Sequence, residues 1–97
     1  MEQIELSALD RALLRRESVT IKIEVLSKIS RGTVLRDITV SKLKNTDQFM
    51  IYTTLYEFRQ DPQDQTFVGT QQERDAKLEE LECPANNARW GRTGRKK

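Results

Sequence analysis

Histidine is missing from this 97-residue chain, and cysteine occurs once, at Cys83. One thiol makes no intramolecular disulfide, so a disulfide-stapled secreted scaffold is excluded. Without histidine the chain lacks the commonest general base, the commonest transition-metal ligand and the usual near-neutral pH switch. A zinc site of the usual kind cannot be assembled from one cysteine and no histidine. Neither a glycine-rich phosphate loop nor a serine nucleophile elbow is present. Cys83 has no histidine to activate it and is followed by Pro84, so an inert thiol is expected. Glu73, Asp75, Glu79, Glu80 and Glu82 lack the loop spacing and glycine of a calcium motif and read as a solvated helix face. No enzymatic activity, cofactor or metal is expected.

Long apolar runs are lacking too. Apolar residues make up 36% of the chain, and the mean hydropathy is −0.71. That bounds the protein to one small domain with a modest core, marginal if it stands alone. No segment approaches bilayer-spanning length. The acidic start, Met-Glu-Gln-Ile-Glu-Leu-Ser, does not read as a secretory signal. A cytoplasmic (or virion) setting without membrane contact is therefore expected.

Charge is present in quantity and is unevenly placed. Lys and Arg total 17 against 15 Asp and Glu, a net charge of +2. Five of those cations, Arg89, Arg92, Arg95, Lys96 and Lys97, fall in the last nine residues, which leaves a body of −3. Trp90, the only tryptophan, sits among them with two glycines. A flexible basic arm of this kind seeks phosphates or a carboxylate-rich surface, and its indole could stack on a base. Arg15 and Arg16, on the first helix, would extend that surface. The same residues also read as an ordinary solvated terminus and helix face.

Ser7-Ala-Leu-Asp10 marks a helix start, with Asp10 at the capping-box position. The helix is expected from Ala8 to Arg16, with Leu6, Leu9 and Leu13 inward and Asp10, Arg11, Arg15 and Arg16 outward. Val19, Ile21, Ile23 and Val25 alternate with polar residues, which is strand periodicity. A second strand is expected from Thr33 to Lys44, where Arg36 interrupts the apolar face as a bulge or a rim position. The third, Gln48 to Phe58, is apolar on both sides. Phe49, Ile51 and Leu55 line one face; Met50, Tyr52, Tyr56 and Phe58 line the other. That pattern suits a central strand covered from two directions. The second set reads equally as core or as a surface for partner binding or self-association. Thr66-Phe-Val68 is a short fourth strand. Thr70-Gln-Gln-Glu73 is a second capping box, opening an acidic helix that runs to about Glu82 and stops before Pro84.

The expected fold is α+β: a small three- to four-stranded antiparallel β-meander with a short helix at each end and a basic C-terminal tail. Residues 1–84 would form the domain and 85–97 the flexible tail. The α-β-β-β-α order resembles the double-stranded-RNA-binding domain in element order alone. That family's last helix starts basic and small; here it starts Thr70-Gln-Gln-Glu-Arg-Asp75, acidic on balance, so none of its contact residues transfers. The same order occurs in small phage-encoded inhibitor proteins, without a shared motif.

The expected function is a non-enzymatic binding module. It would dock on nucleic acid or an acidic protein surface through Arg89, Trp90, Arg92, Arg95, Lys96 and Lys97, as a subunit of a larger assembly such as a virion or ribonucleoprotein. The alternative is a phage- or mobile-element-encoded inhibitor that blocks a host protein by contact. Self-association or partner binding through Met50, Tyr52, Tyr56 and Phe58, or through a sheet edge, is expected, as a homo-oligomer or as a subunit of a larger complex.

Overall fold

A computed structural model of the chain describes residues 6–27, 29 and 31–92, with the backbone alone described at 91 and 92. Four strands form one antiparallel sheet in sequential order: β1 (Ser18–Leu26), β2 (Thr33–Lys42), β3 (Gln48–Tyr56) and β4 (Gln63–Thr70). Two helices flank them, α1 (Ala8–Leu13) and α2 (Gln71–Glu80), and a 3-10 helix spans Ala88–Arg92. The meander follows from the connections, which are too short for parallel crossovers. β4 is longer than Thr66–Val68, because pairing with β3 carries it back to Gln63.

The alternation in β1 decides which face is buried. Val19, Ile21 and Ile23 point to the same side as Ile38 and Val40 of β2 and Ile51 of β3, and all six are buried. Leu9, Leu78, Leu81, Cys83, Ala85 and Trp90 close over them from the helix side. Arg36 stands on this inner face in unbroken register, opposite Ile23 and Leu55, so it is a rim residue and makes no bulge. Its Nη1 donates to Thr53 Oγ1 at 3.0 Å.

β3 is a central strand, as expected, but among the described residues it is covered from one direction only. α1, α2 and the 3-10 helix all pack on the same face. Two short helices carry too little apolar surface to wrap a four-stranded sheet on both sides.

Local signals fix the helix ends. Ser7 Oγ accepts from the Asp10 N–H at 3.1 Å. Thr70 and Glu73 form the reciprocal capping box, with Thr70 N–H donating to Glu73 Oε1 at 2.8 Å. α2 ends earlier than Pro84 requires. Glu82 adopts a positive φ of 65°, and the Cys83 N–H donates back to the Leu78 carbonyl at 3.0 Å. A left-handed residue after the last turn closes helices in this way.

The chain past Pro84 is not a loose tail as far as Arg92. Leu9 N–H donates to the Ala85 carbonyl at 2.9 Å, and Ala8 N–H to Asn86 Oδ1 at 3.2 Å, so this segment satisfies the exposed N-terminus of α1. Trp90 is fully buried, with Nε1 donating to the Pro84 carbonyl at 2.9 Å. A large apolar indole gains more by closing a small core than by standing in water. That gain ties residues 85–90 into the domain.

Asp10 also turns inward. Its carboxylate meets Arg74 of α2, which is fully buried in a helix that otherwise reads as acidic and solvated. Arg74 Nη1 lies 3.0 Å from Asp10 Oδ1 and Nε 2.8 Å from Asp75 Oδ1. The guanidinium stacks over the Phe49 ring at 4.5 Å from its centroid. Two carboxylates and an aromatic face together compensate for its burial.

Candidate docking surface

Because every described helix lies on one side, no described element covers the other face of the sheet, which is open among the described residues. The register places its side chains in cross-strand rows. Val68, Met50, Ser41 and Ser18 form the first row, and Thr66, Tyr52, Thr39 and Thr20 the second. The third holds Asp64, Thr54, Asp37 and Lys22; the fourth, Tyr56, Leu35 and Glu24; Leu26 and Thr33 complete the face. Two apolar stretches thus flank a charged middle row. Exposure of the large apolar members runs from 41% for Tyr52 and Tyr56, through Leu35 and Val68, to 76% for Leu26. Met50 is half-buried, and Phe58 is exposed just past the end of β3.

Polar contacts link the strands across this face. Thr20 and Thr39 hydroxyls lie 2.8 Å apart. Lys22 Nζ pairs with Asp37 Oδ1 at 3.2 Å, and Tyr56 Oη donates to Asp37 Oδ2 at 3.0 Å. Thr54 Oγ1 donates to Asp64 Oδ1 at 2.9 Å. The hydrogen bond to Asp37 raises the Tyr56 pKa from its ordinary value, so the phenol stays neutral. Glu24, Asp37 and Asp64 outnumber Lys22, which makes the face net negative.

Met50, Tyr52 and Tyr56 therefore share one surface, and Phe58 borders it. Sequence alternation had grouped them. Leu26, Leu35 and Val68 belong to the same surface, which the alternation within β3 does not reveal, because their side depends on the register of their own strands. A one-residue slip would have reversed each of them.

The cations are distributed differently. Arg15 and Arg16 are exposed beyond the end of α1. Arg89 reaches across to β1, its Nη1 donating to the Lys22 carbonyl at 2.7 Å. α1 and the 3-10 helix pack against each other, so these arginines border the helix side of the molecule. Trp90 is in the core and is not placed to stack on a base. The Arg92 side chain, and Arg95, Lys96 and Lys97 entirely, lie outside the described residues.

The remaining chemistry is sparse. Burial pushes the Cys83 thiol up to about 11, with Arg89 only partly offsetting it. The thiol is therefore protonated at neutral pH and a poor nucleophile. An open groove of about 800 Å³ between the β2–β3 turn and the start of α2 is lined by Lys42, Thr46, Asp47, Phe49 and Asp75 among others. Among the described residues no group of three His, Cys, Asp or Glu side chains is placed to hold a metal ion. No described helix is long and apolar enough to cross a membrane.

No family model, curated protein or solved structure matches this chain.

Proposed function

We propose that this protein is a non-enzymatic binding module that docks on another protein through the open face of its sheet. The observation that carries this reading is the uncovered side of β3, where Tyr52 and Tyr56 stand exposed between Leu35 and Val68 in a chain with few apolar residues to spare. Exposed apolar stretches rimmed by polar residues mark interaction sites, and tyrosines are strong anchors because they bury much area with little loss of freedom. The charge of the face sets the partner's chemistry. Glu24, Asp37 and Asp64 would repel a phosphate backbone and would suit an apolar patch rimmed by lysine or arginine. A subunit of a larger assembly and an inhibitor of a host protein would both use such a face.

A second reading keeps the basic arm. It rests on five cations in the last nine residues against a body of −3. Arg92, Arg95, Lys96 and Lys97, with Arg15 and Arg16, would engage nucleic acid or an acidic surface. Trp90 would contribute there through the core and not by stacking.

Affinity capture with and without nuclease separates the two. The face reading expects a nuclease-resistant protein partner that is lost with Tyr52→Glu, a substitution expected to weaken binding at least about 30-fold. Partners released by nuclease, and retained by Tyr52→Glu, would move the arm reading ahead.

A further inference from the structure

An open sheet has two edges, and in this one they are treated unequally. The hydrogen-bonding register identifies which backbone groups point outward. Ser27 N–H donates to the Gly32 carbonyl, and Lys42 N–H to the Glu17 carbonyl. The odd residues of β1 therefore bond to β2, and the even ones, Ser18 to Leu26, face outward. Leu43 N–H donates to the Gln48 carbonyl, so the even residues of β3 bond to β2 and its odd residues bond to β4. That leaves Asp64, Thr66 and Val68 of β4 with N–H and C=O groups aimed away from the sheet.

The β1 edge is guarded. Arg89 donates to the outward carbonyl of Lys22, at the middle of the strand, and the 3-10 helix packs beside it. Lys22 and Glu24 add charge along the same edge. The β4 edge has no such cover. Gln63 to Thr66 and Val68 are exposed, β4 is the last strand of the sheet, and no described element pairs with its outer edge. Pro62 lies before the strand and not within it, and Asp64 is its one charged residue.

We propose that β4 pairs antiparallel with β4 of a second copy, about a two-fold axis at Thr66. The strand is complementary to itself in this register. Thr66 opposes Thr66 of the second copy, and Asp64 opposes its Val68. All three outward-facing residues of each copy then exchange both backbone hydrogen bonds, and no two like charges are opposed. A register centred on Gln65 opposes Val68 to Pro62, which has no N–H, and one centred on Phe67 opposes Asp64 to Thr70, whose N–H is already committed to Glu73, so both use fewer of these groups. On the helix side, Gln65 comes beside Phe67 of the second copy. Together they cover a cleft of about 320 Å³ lined by Ile51, Gln65, Phe67 and Lys77. The guarded β1 edge makes the pairing close as a dimer where two open edges would permit a filament. The two sheets become continuous, with both open faces on the same side, so the dimer would present two docking faces to a partner.

Sedimentation of the full chain across the micromolar range tests this, with Thr66→Pro, Thr66→Lys and Thr66→Cys. Proline at Thr66 removes only an outward N–H and spares the β3–β4 ladder. Wild type is expected to dimerise. Thr66→Pro is expected to raise the dissociation constant by about 5- to 150-fold, the range that the loss of two hydrogen bonds gives, with an unchanged circular dichroism spectrum. Thr66→Lys is expected to do likewise through like charges at the axis, which keeps the test usable if proline unfolds the strand. Opposed Cα atoms in a bonded pair lie about 5.5 Å apart, within disulfide reach. Oxidised Thr66→Cys should therefore form a covalent dimer, while wild type, with Cys83 buried, should not. A wild type that stays monomeric, or a dimer untouched by Thr66→Lys and uncrosslinked by Thr66→Cys, would overturn the proposal. Thr66 also stands beside Tyr52 on the open face, so Tyr52→Glu serves as the control: the edge dimer should survive it, and a dimer lost with Tyr52→Glu would belong to the open face and overturn the edge pairing.

Discussion

Arg74 joins the two helices, and it does so as a buried charge. Removing it leaves Asp10 and Asp75 facing each other without their cation, and Phe49 without its stacking partner. Arg74→Ala is expected to cost about 3–5 kcal/mol, read as a shift of the urea midpoint. Asp10 carries a pH signature of the same contact. Burial alone would raise its pKa, but hydrogen bonds from Arg74, Ser7 and Gln71, with the charge of Arg74, bring it below its ordinary 3.8. The unfolded carboxyl then takes up a proton before the folded one does. The stabilisation is complete above about pH 3.8 and is lost as pH falls through the lower folded value. Asp10→Asn should therefore flatten the acid limb of the stability profile below that pH. An unchanged acid limb would show that Arg74 does not hold Asp10. At Trp90, substitution by alanine is expected to cost about 3–5 kcal/mol through lost core volume. That cost should appear in urea unfolding with no nucleic acid present. By the same argument truncation after Ala88 should unfold the domain, whereas truncation after Arg92 should leave it folded.

At the scale of elements, the strand-to-helix junction at Gly69 is closely packed. A Cβ there would meet Glu73 Oε1 at 2.6 Å and the Glu73 Cβ at 2.9 Å. Glu73 is the reciprocal member of the capping box that starts α2, so Gly69→Ala should lose that cap and cost about 1–2 kcal/mol. The comparison to make is with Thr70→Ala, whose loss should overlap with it and not add. A thermal midpoint unchanged by Gly69→Ala would mean that the junction relaxes without displacing Glu73. Both capping signals were legible in the sequence because they are local: Ser7 with Asp10, and Thr70 with Glu73. β1 was legible through strict alternation, and the central place of β3 through its apolar density. The end of α2 was not, since nothing marks Glu82 as a residue that takes a positive φ. Burial of Arg74 was not legible either. It depends on Asp10, 64 residues earlier, and on Phe49 in another strand.

For the whole molecule, one decision shapes both the core and the candidate site. The apolar residues suffice for one side of the sheet, and Trp90 is recruited from the basic end to complete it. The sequence placed Met50, Tyr52 and Tyr56 together correctly by period, while leaving open whether they were core or surface. That choice turns on where three short helical pieces land, which is a tertiary outcome and not a periodicity. The basic end divides accordingly. Arg89 and Trp90 belong to the fold, one capping an edge and one filling the core. Arg92 is the last position described, and the cations after it remain in the arm proposal. The charge asymmetry that made the end conspicuous therefore contains two unlike parts, and a residue count cannot separate them.

On the proposed function the open sheet face, and not the basic arm, carries binding. The most direct test is the affinity of a captured, nuclease-resistant partner for three chains: wild type, Tyr52→Glu, and the chain truncated after Arg92. Measuring each over a range of salt concentrations shows how far charge contributes. The face reading expects Tyr52→Glu to lose at least about 30-fold in affinity. It expects the truncated chain to bind nearly as wild type does, with a shallow salt dependence. Binding that survives Tyr52→Glu and collapses on truncation, with a steep salt slope in the wild type, would contradict it.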